Sequence, residues 1–281
     1  MSILLPKERS YYFSTSNLGK DTILSNDKSR LSISLDTAIS VSSGALNASL
    51  SVQSASLWHT SPNISTAKLN NTFDYLIGGV AQPTIVIQDG LYSLSGLGGF
   101  LSKEFQKRGQ DPDLITFTGD DATQTVIMSF KANVQFDTSG VNTVAPILGF
   151  ALDALYPSTP QPTDDYPVYG TGQAAFNTVN AFSIVSNIVS NGIPVNNSGV
   201  NLLAVIPIPS GSVGRQVVYT PYLPTEIDAT NDLRGKRRST FYIQIADQDG
   251  NPLPQTENWS VLVTLKEQLL LTNEQLPMLD V

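Results

Sequence analysis

The sequence predicts an all-β chain of antiparallel strands, laid out in two halves, with one short helix near residues 93–108. Three observations carry this. Apolar residues recur at every second position in several stretches, which is the period of a half-buried strand. The closing stretch from Phe241 to Glu267 sets two such runs, Phe241, Ile243, Ile245 and Trp259, Val261, Val263, on either side of Asp249-Gly250-Asn251. That arrangement reads as a β-hairpin. Only between Leu91 and Arg108 does the apolar spacing lengthen to three or four residues.

Taken in order, Leu31, Ile33 and Leu35 mark the first strand, and Ala48, Leu50 and Val52 mark a second. Phe73-Asp74-Tyr75 and Thr84 to Ile87 look like two more, with Asp89-Gly90 ending the latter in a turn. Leu94, Leu97, Leu101 and Phe105 then fall on one helical face, with Ser93 placed to cap the start and Gly109 to stop the end. Gly96, Gly98 and Gly99 weaken this helix, each by about 1 kcal/mol against alanine. They lack the spacing of a phosphate loop and read as close packing or fraying.

Leu114 to Phe117 and Thr125 to Phe130 flank Gly119-Asp120-Asp121, a second hairpin with an acidic turn. No D-x-D-x-D-G spacing accompanies Asp120 and Asp121, so they read as solvated turn carboxylates and not as a cation site. After the apolar stop Ile147 to Phe150 comes Pro157-Ser-Thr-Pro-Gln-Pro-Thr-Asp-Asp165, the strongest linker signal in the chain. It sets an expected division into residues 1–156 and 157–281, with one large barrel as the alternative. The second half resumes with Ala181 to Val185, Leu202 to Ile208, Gln216 to Tyr219 and the closing pair. Pro207, Pro209, Pro221 and Pro224 place these strands near sheet edges.

Composition narrows the function. Hydrophobic residues make up 41% of the 281 and charged residues only 14%, against roughly 25% charge in an average soluble domain. Ser, Thr, Asn and Gln cover the surface instead, which suits a protein that meets copies of itself, although extracellular β-proteins share the habit. A formal charge of −8 and a pI near 4.6 argue against a dedicated nucleic-acid binder. The one basic run, Arg234 to Arg238, reads as a solvated loop or a guard on an edge strand, or as a local contact with phosphate or an acidic neighbouring subunit. With no cysteine, no disulfide or thiolate site contributes. The apolar start Ile3-Leu4-Leu5 is short for a signal peptide, and no run reaches the roughly 18 apolar residues of a membrane span. The expectation is therefore assembly in a cytosol. Asn47, Asn63, Asn70, Asn196 and Asn258 open N-x-Ser/Thr sequons, which read as chance in so Asn- and Ser-rich a chain.

Catalytic chemistry finds little to work with. His59 is the single histidine, and no G-x-S-x-G accompanies it, so it reads as a strand-end residue beside Trp58. No HExxH or CxxC is present for zinc. Asp247, Asp249 and Glu257 form the nearest thing to a carboxylate cluster, but they sit on a turn and its return. Trp58, Trp259 or the tyrosines could serve a glycan-binding module as stacking platforms, although Trp259 alternates with Val261 and Val263 as a core residue does. The residues thus point to no catalytic, cofactor or metal site.

Several segments, in this order, resemble jelly-roll capsid proteins of tailless icosahedral viruses. They are Leu94 to Phe105 after Asp89-Gly-Leu-Tyr-Ser93, Ile147 to Phe150, Val205 to Ile208, Val218 to Pro221, and Ala246 to Asn251 followed by Glu257 to Val261. The resemblance implies two jelly-roll barrels of the double jelly-roll lineage, one per half. It implies a shell protein of the virion that assembles in the host cytoplasm as a homotrimer and then a lattice. Its neighbours would be its own copies, other capsid proteins and, where the virion has one, an internal membrane, with no nucleic-acid sequence read. A single jelly-roll minor or vertex (penton) protein is the close alternative. Residues 1–29 and 268–281, with the apolar Leu269 to Leu271 and Leu276 to Leu279, are the candidate ties between subunits.

Overall fold

The computed structural model describes residues 3–19, 21–120, 122–190, 192–193, 201–209 and 214–271. The chain first lays down β1 (Ile3–Ser14), β2 (Ile23–Leu24), β3 (Arg30–Ile39) and β4 (Ala45–Trp58). A middle stretch carries β5 (Thr72–Ile77), β6 (Val80–Ala81), β7 (Ile85–Val86), helix α1 (Leu94–Lys107), β8 (Ile115–Asp120), β9 (Thr125–Phe130), β10 (Val134–Asp137), the one-turn α2 (Ala145–Leu148), β11 (Leu155–Tyr156) and β12 (Tyr166–Tyr169). The last stretch holds β13 (Ala181–Ser186), β14 (Leu202–Pro207), β15 (Gln216–Tyr219), β16 (Ile227–Asp228), the one-turn α3 (Thr230–Leu233), β17 (Arg238–Ala246) and β18 (Ser260–Leu271).

These elements gather into two compact units. The first comprises Met1–Ser61 and Val179–Val281, and the second Pro62–Thr178. The middle stretch is therefore an insertion in sequence. The division does not fall at 156/157, because the proline-rich segment is tied down inside the second unit. There Asn133 N–H donates to the Gln161 carbonyl at 2.7 Å, Gln135 Nε2 to the Pro157 carbonyl at 2.8 Å, and Ala132 N–H to Asp164 Oδ1 at 2.9 Å.

The first unit is two antiparallel sheets, one ordered β1-β18-β4-β15 with β16 also on β4, the other β14-β13-β17-β3-β2. Counting its eight principal strands in sequence, first pairs with last (β1 with β18), second with seventh (β3 with β17), third with sixth (β4 with β15) and fourth with fifth (β13 with β14). This nested pairing is the jelly roll. The expected all-β jelly-roll architecture is present, in one copy among the described residues. The second unit pairs β8 with β9, β9 with β12, β5 with β6, β7 and β10, and β10 with β11, which is not the nested order.

The closing hairpin also resolves differently. β17 pairs with β13 and β3, whereas β18 pairs with β1 and β4. The chain between them crosses from one sheet to the other, which a two-residue hairpin turn could not do. The inward faces are as expected: Phe241, Ile243, Ile245, Trp259, Val261, Val263 and Leu265 all lie in the barrel core. Trp259 is anchored by its indole N–H, which donates to the Lys28 carbonyl at 2.6 Å. Elsewhere in the core Glu267 is only 2% exposed. Its carboxylate accepts from Arg9 Nη2 at 3.2 Å and from Ser42 N–H at 3.0 Å, so the buried charge is paired and hydrogen-bonded.

The second unit is built around aromatic packing. Phe73 stacks on Phe136 at 4.6 Å, and Tyr75 meets Phe105 of α1 edge-on at 5.2 Å. Helix α1 starts where Ser93 Oγ accepts from Gly96 N–H at 3.1 Å and ends at Gly109, whose φ is +71°. Of its glycines, Gly98 lies against Phe117, a close approach of helix to strand. Asn63, read in the sequence as a chance sequon, is a buried organiser. Its Nδ2 donates to the Tyr92 and Phe176 carbonyls at 2.7 and 2.9 Å, and its Oδ1 accepts from Tyr92 N–H at 2.8 Å. Gly149, after α2, has φ +77°, and a Cβ there would lie 2.3 Å from the Gly172 carbonyl oxygen. Gly149→Ala is therefore expected to destabilise the second unit by about 2 kcal/mol or more. A urea melt indistinguishable from wild type would contradict that packing.

Candidate assembly interface

Among the described residues β15 is an edge strand. It pairs with Ala55 to Trp58 of β4, and β16 resumes pairing at Ser49 and Leu50. Between those contacts the seven residues 220–226 run past only the four residues 51–54 of β4, so the surplus chain is pushed outward. Pro221 and Pro224 frame the excursion and fix its backbone φ, while withholding donors from the sheet. At its tip Tyr222 is 97% and Leu223 81% exposed, and on β15 itself Val218 is 68% exposed. Burial of each such side chain is worth roughly 1.5–3 kcal/mol. The sequence places no charge between Gln216 and Thr225, so the edge and its loop form a neutral, apolar projection.

The neighbouring part of the same sheet is charged, with its lysine paired to two glutamates. Lys266 Nζ lies 2.9 Å from Glu226 Oε1 and 3.7 Å from Glu8 Oε1, and Ser49 Oγ donates to Glu226 Oε2 at 3.0 Å. The hydrogen bond from Lys266 holds the Glu226 carboxyl below its usual pKa, and the same contact raises that of Lys266. Asp228 is likewise lowered, chiefly by its hydrogen bond with Thr230. These groups line a depression of about 740 Å³ together with Asn47, Arg234 and Gln268. A glycosidase pair needs one acid of raised pKa, and the shifted carboxyls of this depression move the other way.

The residues singled out by sequence are spread over both units. Asp120 Oδ1 and Oδ2 accept from Ala122 N–H at 2.9 Å and Thr123 Oγ1 at 2.8 Å, a turn role; Asp121 lies outside the described residues. The Asp247 carboxylate accepts from the backbone N–H groups of Asp249 and Asn251 at 2.9 and 2.8 Å, so that acidic run builds its own turn. In the basic run, Arg234 Nη2 donates to the Leu46 carbonyl at 2.5 Å and Lys236 Nζ to the Asn231 carbonyl at 2.8 Å, while Arg237 stays exposed. Trp58 is half-buried at the end of β4, and Trp259 is in the core. Among the described residues no three His, Asp or Glu side chains gather as a metal site, and no helix is long and apolar enough to cross a membrane.

The candidate ties divide. Residues 3–14 and 260–271 are not tails but the paired strands β1 and β18 of the barrel. Leu276 to Leu279 lies outside the described residues. The exposed Tyr222 and Leu223 were not foreseen, though an apolar pair between two prolines, where a loop should be polar, is a legible signal.

His59 is buried at the barrel end and meets Phe182 edge-on at 6.3 Å. Burial pushes its pKa below the usual imidazole value. The unfolded chain then takes up a proton below about pH 6.5 that the folded barrel resists. Stability should be full above that pH and decline as pH falls below it. Urea midpoints measured from pH 7.5 to 5 should show this slope, and His59→Gln should flatten it. Equal slopes in the two proteins would contradict the assignment.

No protein-family model matches the chain, and no curated protein does. Among solved structures, the selenomethionine-labelled mavirus penton protein is similar over 93% of this chain and 100% of that one, at 12% identity and a TM-score of 0.42. A likeness that loose fixes neither fold nor function. The jelly roll rests on the strand pairing itself.

Proposed function

We propose that the chain is a structural protein of a viral icosahedral shell, of the single jelly-roll kind, working by packing against copies of itself and not by catalysis. The barrel count is the observation that carries this reading. A chain with two barrels brings six to a trimer and fills a site of six-fold outline; a chain with one barrel brings three. One barrel per chain fits a vertex, where five copies close a ring. The ring contact is heterologous, one face of each subunit meeting a different face of the next. The neutral projection carrying Val218, Tyr222 and Leu223 is one of those faces. The low charge of the chain and its resemblance to jelly-roll capsid proteins support the same reading, in which the protein sits in the virion beside other capsid proteins.

Sedimentation velocity of the purified chain over a range of concentration and salt tests this. The expected species has five times the 30.2 kDa mass of the chain. A stable trimer would return the protein to the major-shell class, and a strict monomer at high concentration would count against a self-assembling role.

A further inference from the structure

The inserted unit, and not the one that carries the β15–β16 projection, holds an open groove lined by tyrosines. β11 pairs only with β10, and β12 only with β9, so each leaves one edge open among the described residues. Between them lies an open groove of about 400 Å³ whose lining includes Tyr156, Tyr166, Tyr169, Ser158, Thr159 and Gln161. Its wall is set in advance. The segment 157–165 is pinned by the backbone and side-chain hydrogen bonds from Ala132, Asn133 and Gln135, and Gln161 Nε2 donates to the Thr159 carbonyl at 3.0 Å. Tyr156 is seated edge-on against Phe150 at 4.9 Å, whereas Tyr169 is 61% exposed.

We propose that this groove binds a neutral sugar unit of a glycan. Tyrosines offer flat apolar faces with a polar tip, and a sugar ring presents an apolar face bounded by hydroxyls. The Ser158 hydroxyl, the Thr159 O–H and Gln161 Oε1 supply uncharged hydrogen-bonding partners along the rim, while Gln161 Nε2 is held by the Thr159 carbonyl and hydroxyl oxygens. No charged residue lines the groove, so nothing there selects an acidic glycan. Its volume sits at the small end of ligand pockets, the scale of one or two rings and short for an extended polyproline segment. Strand addition along β12 is disfavoured, because Pro167 removes a donor from that four-residue strand. The preformed wall lowers the ordering cost of binding. This binding is independent of the shell reading, and neither outcome for assembly decides it.

The test uses the full chain on a printed array of neutral, sialylated and sulfated oligosaccharides, followed by saturation-transfer NMR titration with lactose, cellobiose, chitobiose and mannobiose. A neutral disaccharide should bind, and Tyr169→Ala should weaken it at least tenfold with an unchanged melting temperature. Tyr222→Ala, on the other unit, should leave binding intact. Thr159→Trp, which fills the groove from an exposed position, is the second variant should Tyr169→Ala unfold the unit, and it too should abolish binding. No neutral binding, binding of acidic glycans alone, indifference to both groove variants, or binding of a decaproline peptide in place of sugar would each overturn the proposal.

Discussion

Replacing Tyr222 and Leu223 together with aspartate is expected to leave the barrel folded and to abolish its self-assembly. Both side chains stand almost free of the subunit, at 97% and 81% exposure, so neither contributes to the core and the melting temperature should hold. In the proposed ring they would form the apolar centre of a contact, where truncation of single residues costs about 2 kcal/mol or more. Placing two carboxylates there adds desolvation and repulsion between neighbouring charges. Association should fall by roughly a hundredfold or more, an amount that 2.7 kcal/mol represents. Light scattering at matched concentration reads this directly. Assembly that survives the double substitution would move the contact to another face.

Trp259→Ala is expected to have the largest effect on folding. Its ring is buried at the centre of the barrel core, its side-chain N–H bonds to the Lys28 carbonyl at 2.6 Å, and its backbone exchanges hydrogen bonds with Thr15. It ties the β18 start to the β1–β3 connection, joining segments more than 200 residues apart. Truncating a buried tryptophan costs about 3–5 kcal/mol, and the stranded Lys28 carbonyl adds to it. Against a total stability of about 5–15 kcal/mol, the first unit should unfold at ambient temperature or melt far lower in calorimetry. A variant that keeps its fold and loses only glycan binding would instead make Trp259 a binding platform.

Local features of this fold were legible in the sequence, and pairing was not. Period-two runs located β3, β4, β17 and β18, because alternation records which face is buried, and short apolar runs between turn residues located β13, β14 and β15. Ser93 and Gly109 bracketed α1, since capping is written in adjacent residues. Alternation does not say which strand lies alongside, so β17 and β18 read as partners although they belong to different sheets. β1 escaped notice because Lys7 and Arg9 share a face with the buried Glu267, putting charge where the pattern calls for apolar residues. The proline-rich 157–165 resembles a linker in composition, while the hydrogen bonds that pin it come from residues some 25 positions earlier. The insertion boundary at Ser61 falls in Thr60-Ser-Pro-Asn63, an ordinary turn signal that says nothing of a change of unit, and that at Val179 is no plainer. Of the interface, Tyr222 and Leu223 were visible as residues, but their projection follows from the seven-against-four mismatch between the β15–β16 connection and β4, which only the register reveals.

One jelly roll per chain is expected to assemble into a closed ring of five. Electron microscopy of the assembled species tests it most directly, through the rotational symmetry of end-on class averages. Five-fold averages, with one barrel-sized lobe per subunit, are the expected result; three-fold averages, or a population of single particles at every concentration, would contradict the account.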